Sequence, residues 1–76
     1  MITKLCLCCK IGRVEAEYSS YEICRVCGWE DDGIQGDDLN YAGGANKLSL
    51  NEYRKQFDQK RKENPEYKWA DDPNRK

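Results

Sequence analysis

The 76-residue chain contains no histidine. Imidazole-based catalytic triads and general bases are therefore excluded. It also lacks any run of about 18 apolar residues, so no helix long and apolar enough to span a bilayer is expected. A secretory leader is not expected either. After Met1-Ile2-Thr3-Lys4 the apolar residues are broken by Lys10 and Arg13, and no small-residue cleavage pattern follows. Apolar residues are scarce as well: 38% hydrophobic against 36% charged, where about 25% charged is usual. Ordering each residue costs about 1.5 kcal/mol, and so thin a core barely offsets that cost. One small domain is all this length allows, and its composition calls for a staple.

Five cysteines are available to provide one. Without a secretion signal the chain reads as cytoplasmic. There thiols stay reduced, and paired cysteines hold a metal more often than they form disulfides. Cys6 and Cys9 are separated by two residues, as are Cys24 and Cys27, with fourteen residues between the pairs. A two-residue spacing turns the chain tightly, aims both sulfurs at one point and leaves backbone amides near the thiolates. Two such turns facing each other complete a tetrahedral four-sulfur shell. Zinc is the expected ion, as a single structural Zn, and Fe in a rubredoxin-like site is the less favoured alternative. A shell filled by sulfur leaves no open position for water, so the expected metal role is structural. Cys8 either replaces Cys9 as ligand or stands beside the site as a free thiol; the two-residue spacing favours Cys9.

Between the clusters, Val14, Ala16 and Tyr18 alternate with Glu15 and Glu17, the period of a strand. Ser19-Ser20 reads as its turn and Tyr21-Glu22-Ile23 as the return strand. Residues 29–46 are rich in Gly, Asp and Asn and read as a long loop. A helix is predicted over about 50–63. Ser49-Leu50-Asn51-Glu52 is a capping box at its start, Leu50, Tyr53 and Phe57 form one apolar stripe, and Asn64-Pro65 ends it. Residues 65–76 read as a short polar tail whose Tyr67 and Trp69 either pack on the helix or face a partner. The fold class expected is small α+β, a metal-stapled zinc-ribbon or rubredoxin-like hairpin plus one C-terminal helix, with the ribbon domain over residues 1–64. Its predicted core is Leu5, Val14, Tyr21, Ile23, Trp29, Leu39, Leu48, Leu50, Tyr53 and Phe57.

The formal charge is −1, from 13 basic and 14 acidic residues, but it is distributed in blocks. Residues 28–41 hold Glu30, Asp31, Asp32, Asp37 and Asp38 without a basic residue, whereas residues 54–62 hold Arg54, Lys55, Lys60, Arg61 and Lys62 against Asp58. Two readings of the acidic block stand. In one, Trp29 covers the metal site and the acids solvate the loop. In the other, the acids steer a basic protein such as a nuclease, with Trp29 or Tyr41 as aromatic anchor. Calcium is disfavoured because the acids do not follow EF-hand spacing. Gly43-Gly44-Ala45-Asn46 lacks the Lys-Ser/Thr ending of a phosphate loop. Its glycines are read as letting the chain pass close to the ribbon. The basic block is either a solvated helix face or a nucleic-acid contact. No pair of carboxylates is placed as acid and base, and the chain is read as non-enzymatic.

Cys6-Leu7-Cys8-Cys9, the run from Tyr21-Glu22-Ile23-Cys24 through Trp29-Glu30-Asp31-Asp32-Gly33, and Gly43-Gly44-Ala45-Asn46-Lys47-Leu48-Ser49-Leu50 together resemble the bacterial cysteine-rich CPCC family over roughly residues 5–57. The resemblance implies a small zinc-ribbon-like accessory protein, and for some members an immunity partner of a secreted toxin. Two positions depart from the family pattern: its proline is Leu7 here, and the glycine after its first cluster is Lys10. Proline would pre-set the turn and glycine would accept positive φ, so the first knuckle is expected to be looser than the second, which keeps Gly28.

Overall fold

The computed structural model describes residues 2–74. Its elements follow the cysteines. Strand β1, Thr3–Leu5, leads into the first knuckle, and strand β2, Arg13–Glu15, leads out of it. The two pair antiparallel with Thr3 opposite Glu15 and Leu5 opposite Arg13. The second knuckle repeats this plan in miniature, with a single antiparallel bridge from Ile23 to Glu30. The strand pairing therefore differs from the expected hairpin between 14–18 and 21–23. Each pair of strands closes around its own knuckle, because the sulfur turn itself reverses the chain. At 19–21 the chain instead bends through left-handed conformations, with φ of 53° at Ser19 and 58° at Tyr21.

Asp31 holds that bend in place. Its Oδ2 accepts from the Ser20 amide at 3.0 Å and the Ser20 hydroxyl at 2.9 Å, and pairs with Lys4 Nζ at 3.0 Å. Its carbonyl accepts from the Tyr21 amide. The loop expected over 29–46 contains a short helix α1, Gly33–Asp37, whose N-cap Asp32 accepts from the Ile34 and Gln35 amides. Gln35 is fully buried and pins the rest of the loop. Its Nε2 reaches the carbonyls of Tyr41, Asn46 and Leu48, each at 3.1 Å, while Oε1 accepts from the Asn46 amide and side chain.

Helix α2, Leu50–Glu63, starts at the expected capping box, with Ser49 Oγ accepting from the Glu52 amide and Glu52 reaching back to the Ser49 amide. It ends at Asn64 before Pro65, with Lys60, Arg61 and Lys62 in its last turn, where cations suit the helix dipole. After the helix, residues 65–74 fold back on the domain. Tyr67 packs on Phe57 with ring centroids 6.1 Å apart. The single 3-10 turn Trp69–Asp71 returns to the second knuckle, donating from the Trp69 amide to Val26 and from the Ala70 amide to Arg25. No helix among the described residues is long and apolar enough to cross a membrane.

The core is smaller than expected and rich in sulfur. Cys6, Cys8, Cys24 and Cys27 are buried with Val14, Trp29, Leu50 and Phe57, and Tyr53 packs partly against them. Leu5, Tyr21, Ile23 and Leu39, expected inside, are 40–54% exposed. Leu5 ends β1 and Ile23 sits on a single bridge, while Tyr21 lies in the left-handed bend and Leu39 in the turn after α1, so none of the four is covered by a second layer.

Candidate metal centre

Each knuckle is built by the same local hydrogen bonds. The Lys10 amide donates to the Cys6 carbonyl at 3.0 Å, and the Gly28 amide to the Cys24 carbonyl at 2.7 Å. The turn then needs a left-handed residue, which is Lys10 at φ 57° in the first knuckle and Gly28 at 84° in the second. Glycine adopts this conformation without penalty, whereas lysine pays a steric cost. The return path is also longer in the first knuckle. Cys6 N donates to Gly12 O, six residues on, and Cys24 N to Trp29 O, five residues on. Both departures noted in the sequence thus fall where the first knuckle turns.

The turns bring Cys6, Cys9, Cys24 and Cys27 together, with all four sulfurs within 4.8 Å of one another. The Cys6–Cys27 separation is 3.5 Å and the Cys9–Cys24 separation 3.7 Å. A tetrahedral ion with metal–sulfur bonds of about 2.3 Å sets its sulfurs about 3.8 Å apart, so the four residues fit a metal ion with little movement. A disulfide needs about 2.05 Å, and all five cysteines are free. Cys9, not Cys8, belongs to the cluster.

Backbone amides face the sulfurs. Cys8 N points to Cys6 Sγ at 3.4 Å, Ile11 N and Gly12 N to Cys9 Sγ at 3.4 Å, and Trp29 N to Cys27 Sγ at 3.5 Å. Such donors favour the thiolate. Gly12 has a second task that the sequence reading missed: a Cβ there would collide with Cys24 Sγ, so the residue must be glycine for the two knuckles to close. Its position two residues beyond the first knuckle's turn was the available signal.

Three of the thiols, Cys6, Cys24 and Cys27, shift one another's ionisation. Cys24 is pulled down to about 2, chiefly by hydrogen bonds from Cys27 and then Cys6. Cys6 is pushed up to about 12, first by its bond to Cys24. Cys27 is also pushed up strongly, by Cys24, then Cys6 and Cys8, with burial adding to the effect. Charge on Cys24 thus works against charge on Cys6 and Cys27 beside it. A dication removes that conflict, because a coordinated thiol is deprotonated outright.

Helix α2 ties the two knuckles together through consecutive residues. Tyr53 Oη donates to the Cys27 carbonyl at 2.9 Å, and Arg54 to the Leu7 carbonyl at 2.6 Å. Trp29 lies under Tyr53, edge to face with centroids 5.3 Å apart.

The acidic block divides on structure. Trp29, Asp31 and Asp32 are 1%, 1% and 5% exposed. Trp29 is core, Asp31 holds the Ser20 bend, and Asp32 caps α1 and accepts from Ala45 N. None of the three is free to touch a partner, which corrects that part of the expected surface. Local backbone groups in need of acceptors drew these carboxylates inward. Glu30 is half-buried, while Asp37 at the end of α1 and Asp38 and Tyr41 just after it are exposed, the Tyr41 amide donating to the Asp38 carbonyl. Exposed Tyr18 joins them through its hydroxyl, which donates to Asp37 at 2.5 Å and has its pKa raised by that bond.

The basic block is similarly committed. Arg54 holds Leu7, Arg61 donates to the Pro65 carbonyl and lies over Phe57, and Lys60 lies over Tyr67. Lys55 and Lys62 carry no described contact, and Lys55, Lys60 and Lys62 are exposed.

Two knuckles bridged by a helix define a small α+β domain whose four clustered cysteines could hold a metal ion. The chain belongs to the cysteine-rich CPCC family, whose family model matches residues 4–66. No curated protein matches it.

Proposed function

We propose that this is a zinc-stapled, non-catalytic scaffold that presents a surface to another protein. The carrying observation is the donor set: four thiols within 4.8 Å of one another, three of them buried. A tetrahedral ion held by four sulfurs has no position left for water or substrate, so its binding energy goes into folding. Zinc is favoured over iron because a purely structural role needs no redox chemistry. The surface offered is the segment bearing Asp37, Asp38 and Tyr41, with Tyr18 beside it. Its charge suits a basic protein, and a toxin-like nuclease whose cleft grips phosphate is the partner class of matching sign.

The test is capture from the native cell on immobilised, metal-loaded protein, followed by association kinetics of the captured protein. The double reversal Asp37→Lys/Asp38→Lys should slow association about tenfold at low salt, with the difference fading as salt rises. An unchanged on-rate removes this face from the interface. Metal analysis of the purified protein decides between zinc and iron.

A further inference from the structure

Four sulfurs fill the metal site, yet a fifth lies against it. Cys8 is 6% exposed and packs in the same core as Cys6, Cys24 and Cys27. Its amide points to Cys6 Sγ at 3.4 Å. Cys9, by contrast, is the one half-exposed member of the set, and therefore the ligand an electrophile or oxidant reaches first. Cys8 and Cys9 are adjacent in the knuckle that turns at a left-handed lysine and takes the longer return to Gly12. Bringing Cys8 to the place of Cys9 would need only this turn to rotate, with the rest of the cluster left in place.

We propose that the centre carries five donors for four places, with Cys8 a reserve ligand that takes the metal when Cys9 is lost. The inference rests on the metal-binding reading above. In chemical terms, alkylation of Cys9 by iodoacetamide forms a sulfur–carbon bond and releases iodide. The thioether leaves the metal, and the Cys8 thiol gives its proton to solvent and binds as thiolate. Donor count and charge at the ion are unchanged.

Cobalt(II) titration of the full chain tests this, because the charge-transfer and d–d bands report how many thiolates bind. Wild type and Cys8→Ser should each bind one ion with a four-thiolate spectrum. Cys9→Ser should do the same, with affinity about ten- to hundredfold weaker, the scale of losing a ligand's supporting contacts. The double variant Cys8→Ser/Cys9→Ser should show three thiolates and bind weaker still. A Cys9→Ser spectrum matching the double variant overturns the proposal. No cobalt bound to wild type overturns the metal-binding reading itself, and this proposal with it. A second measurement avoids any folding defect of the variants. Zinc-loaded protein is alkylated once at Cys9 and weighed by native mass spectrometry. The ion should stay on wild type and leave Cys8→Ser; its loss from both overturns the proposal.

Discussion

Replacing Lys10 by glycine should stabilise the metal-loaded protein, and replacing Gly28 by alanine should destabilise it. Both residues occupy the left-handed position that ends a knuckle, at φ 57° and 84°. For an L-residue that conformation costs about 1–2 kcal/mol. Glycine avoids the cost but loses about 0.5–1 kcal/mol more chain entropy on folding. The Lys10 side chain is exposed and makes no described contact, so Lys10→Gly should gain about 0.5–1 kcal/mol, a rise of about 2–8 °C in a domain of this size. At Gly28 the same terms run in reverse, and a further cost follows. A Cβ there would collide with the Trp69 ring, and displacing that ring adds about 1–2 kcal/mol, giving about 1.5–3 kcal/mol in all. Thermal unfolding by circular dichroism at a buffered free-zinc concentration reads both effects. The cycle of Gly28→Ala with Trp69→Ala isolates the ring, because the double variant should cost about 1–2 kcal/mol less than the two singles together. A melting point for Lys10→Gly at or below wild type would refute the strain argument. Strict additivity in the cycle would refute the collision.

Chelation of the metal should abolish the near-ultraviolet signal of Trp29, and zinc should restore it, since zinc peptides of this kind draw about 10–16 kcal/mol of folding energy from the ion; a signal indifferent to chelator would refute the staple. Gln35→Glu should cost about 3 kcal/mol or more at pH 7 by denaturant titration, because a carboxylate cannot donate to the three carbonyls that Nε2 serves. Ser49→Ala should cost about 1 kcal/mol in the same assay, through loss of the N-cap. Burial, helped by the bond to Asp72, pushes Tyr67 from 10.0 up to about 12, and burial raises Tyr53 likewise. Because the folded pKa values exceed the unfolded one, the stability these groups contribute is intact below pH 10 and declines as pH rises through the folded values. Phenolate absorbance should show both titrating late, and Tyr67→Phe should remove its share of the alkaline loss.

The features legible in the sequence are those whose cause lies within a few residues. A two-residue gap between cysteines makes a knuckle wherever it stands, and Ser49 with Glu52 caps a helix by reaching three residues along the chain. The failures share the opposite property. The alternation of Val14, Ala16 and Tyr18 is a strand signal, but β2 ends at Glu15 because its partner is β1, on the far side of the first knuckle. Asp31 and Asp32 look like solvated acids until the amides that claim them, at Ser20 and Ala45, are brought alongside. Gln35 carries no periodic signal, yet its one amide group holds Tyr41, Asn46 and Leu48. With so few apolar residues, this chain replaces much of a hydrophobic core by sulfur at the centre and by buried polar side chains around it. Asp31, Gln35 and Asn46 are specified by the backbone groups they satisfy, and those lie 6 to 16 residues away. The metal centre can therefore be inferred from spacing alone, whereas the shape of the surface around it depends on polar pairings that no local pattern encodes.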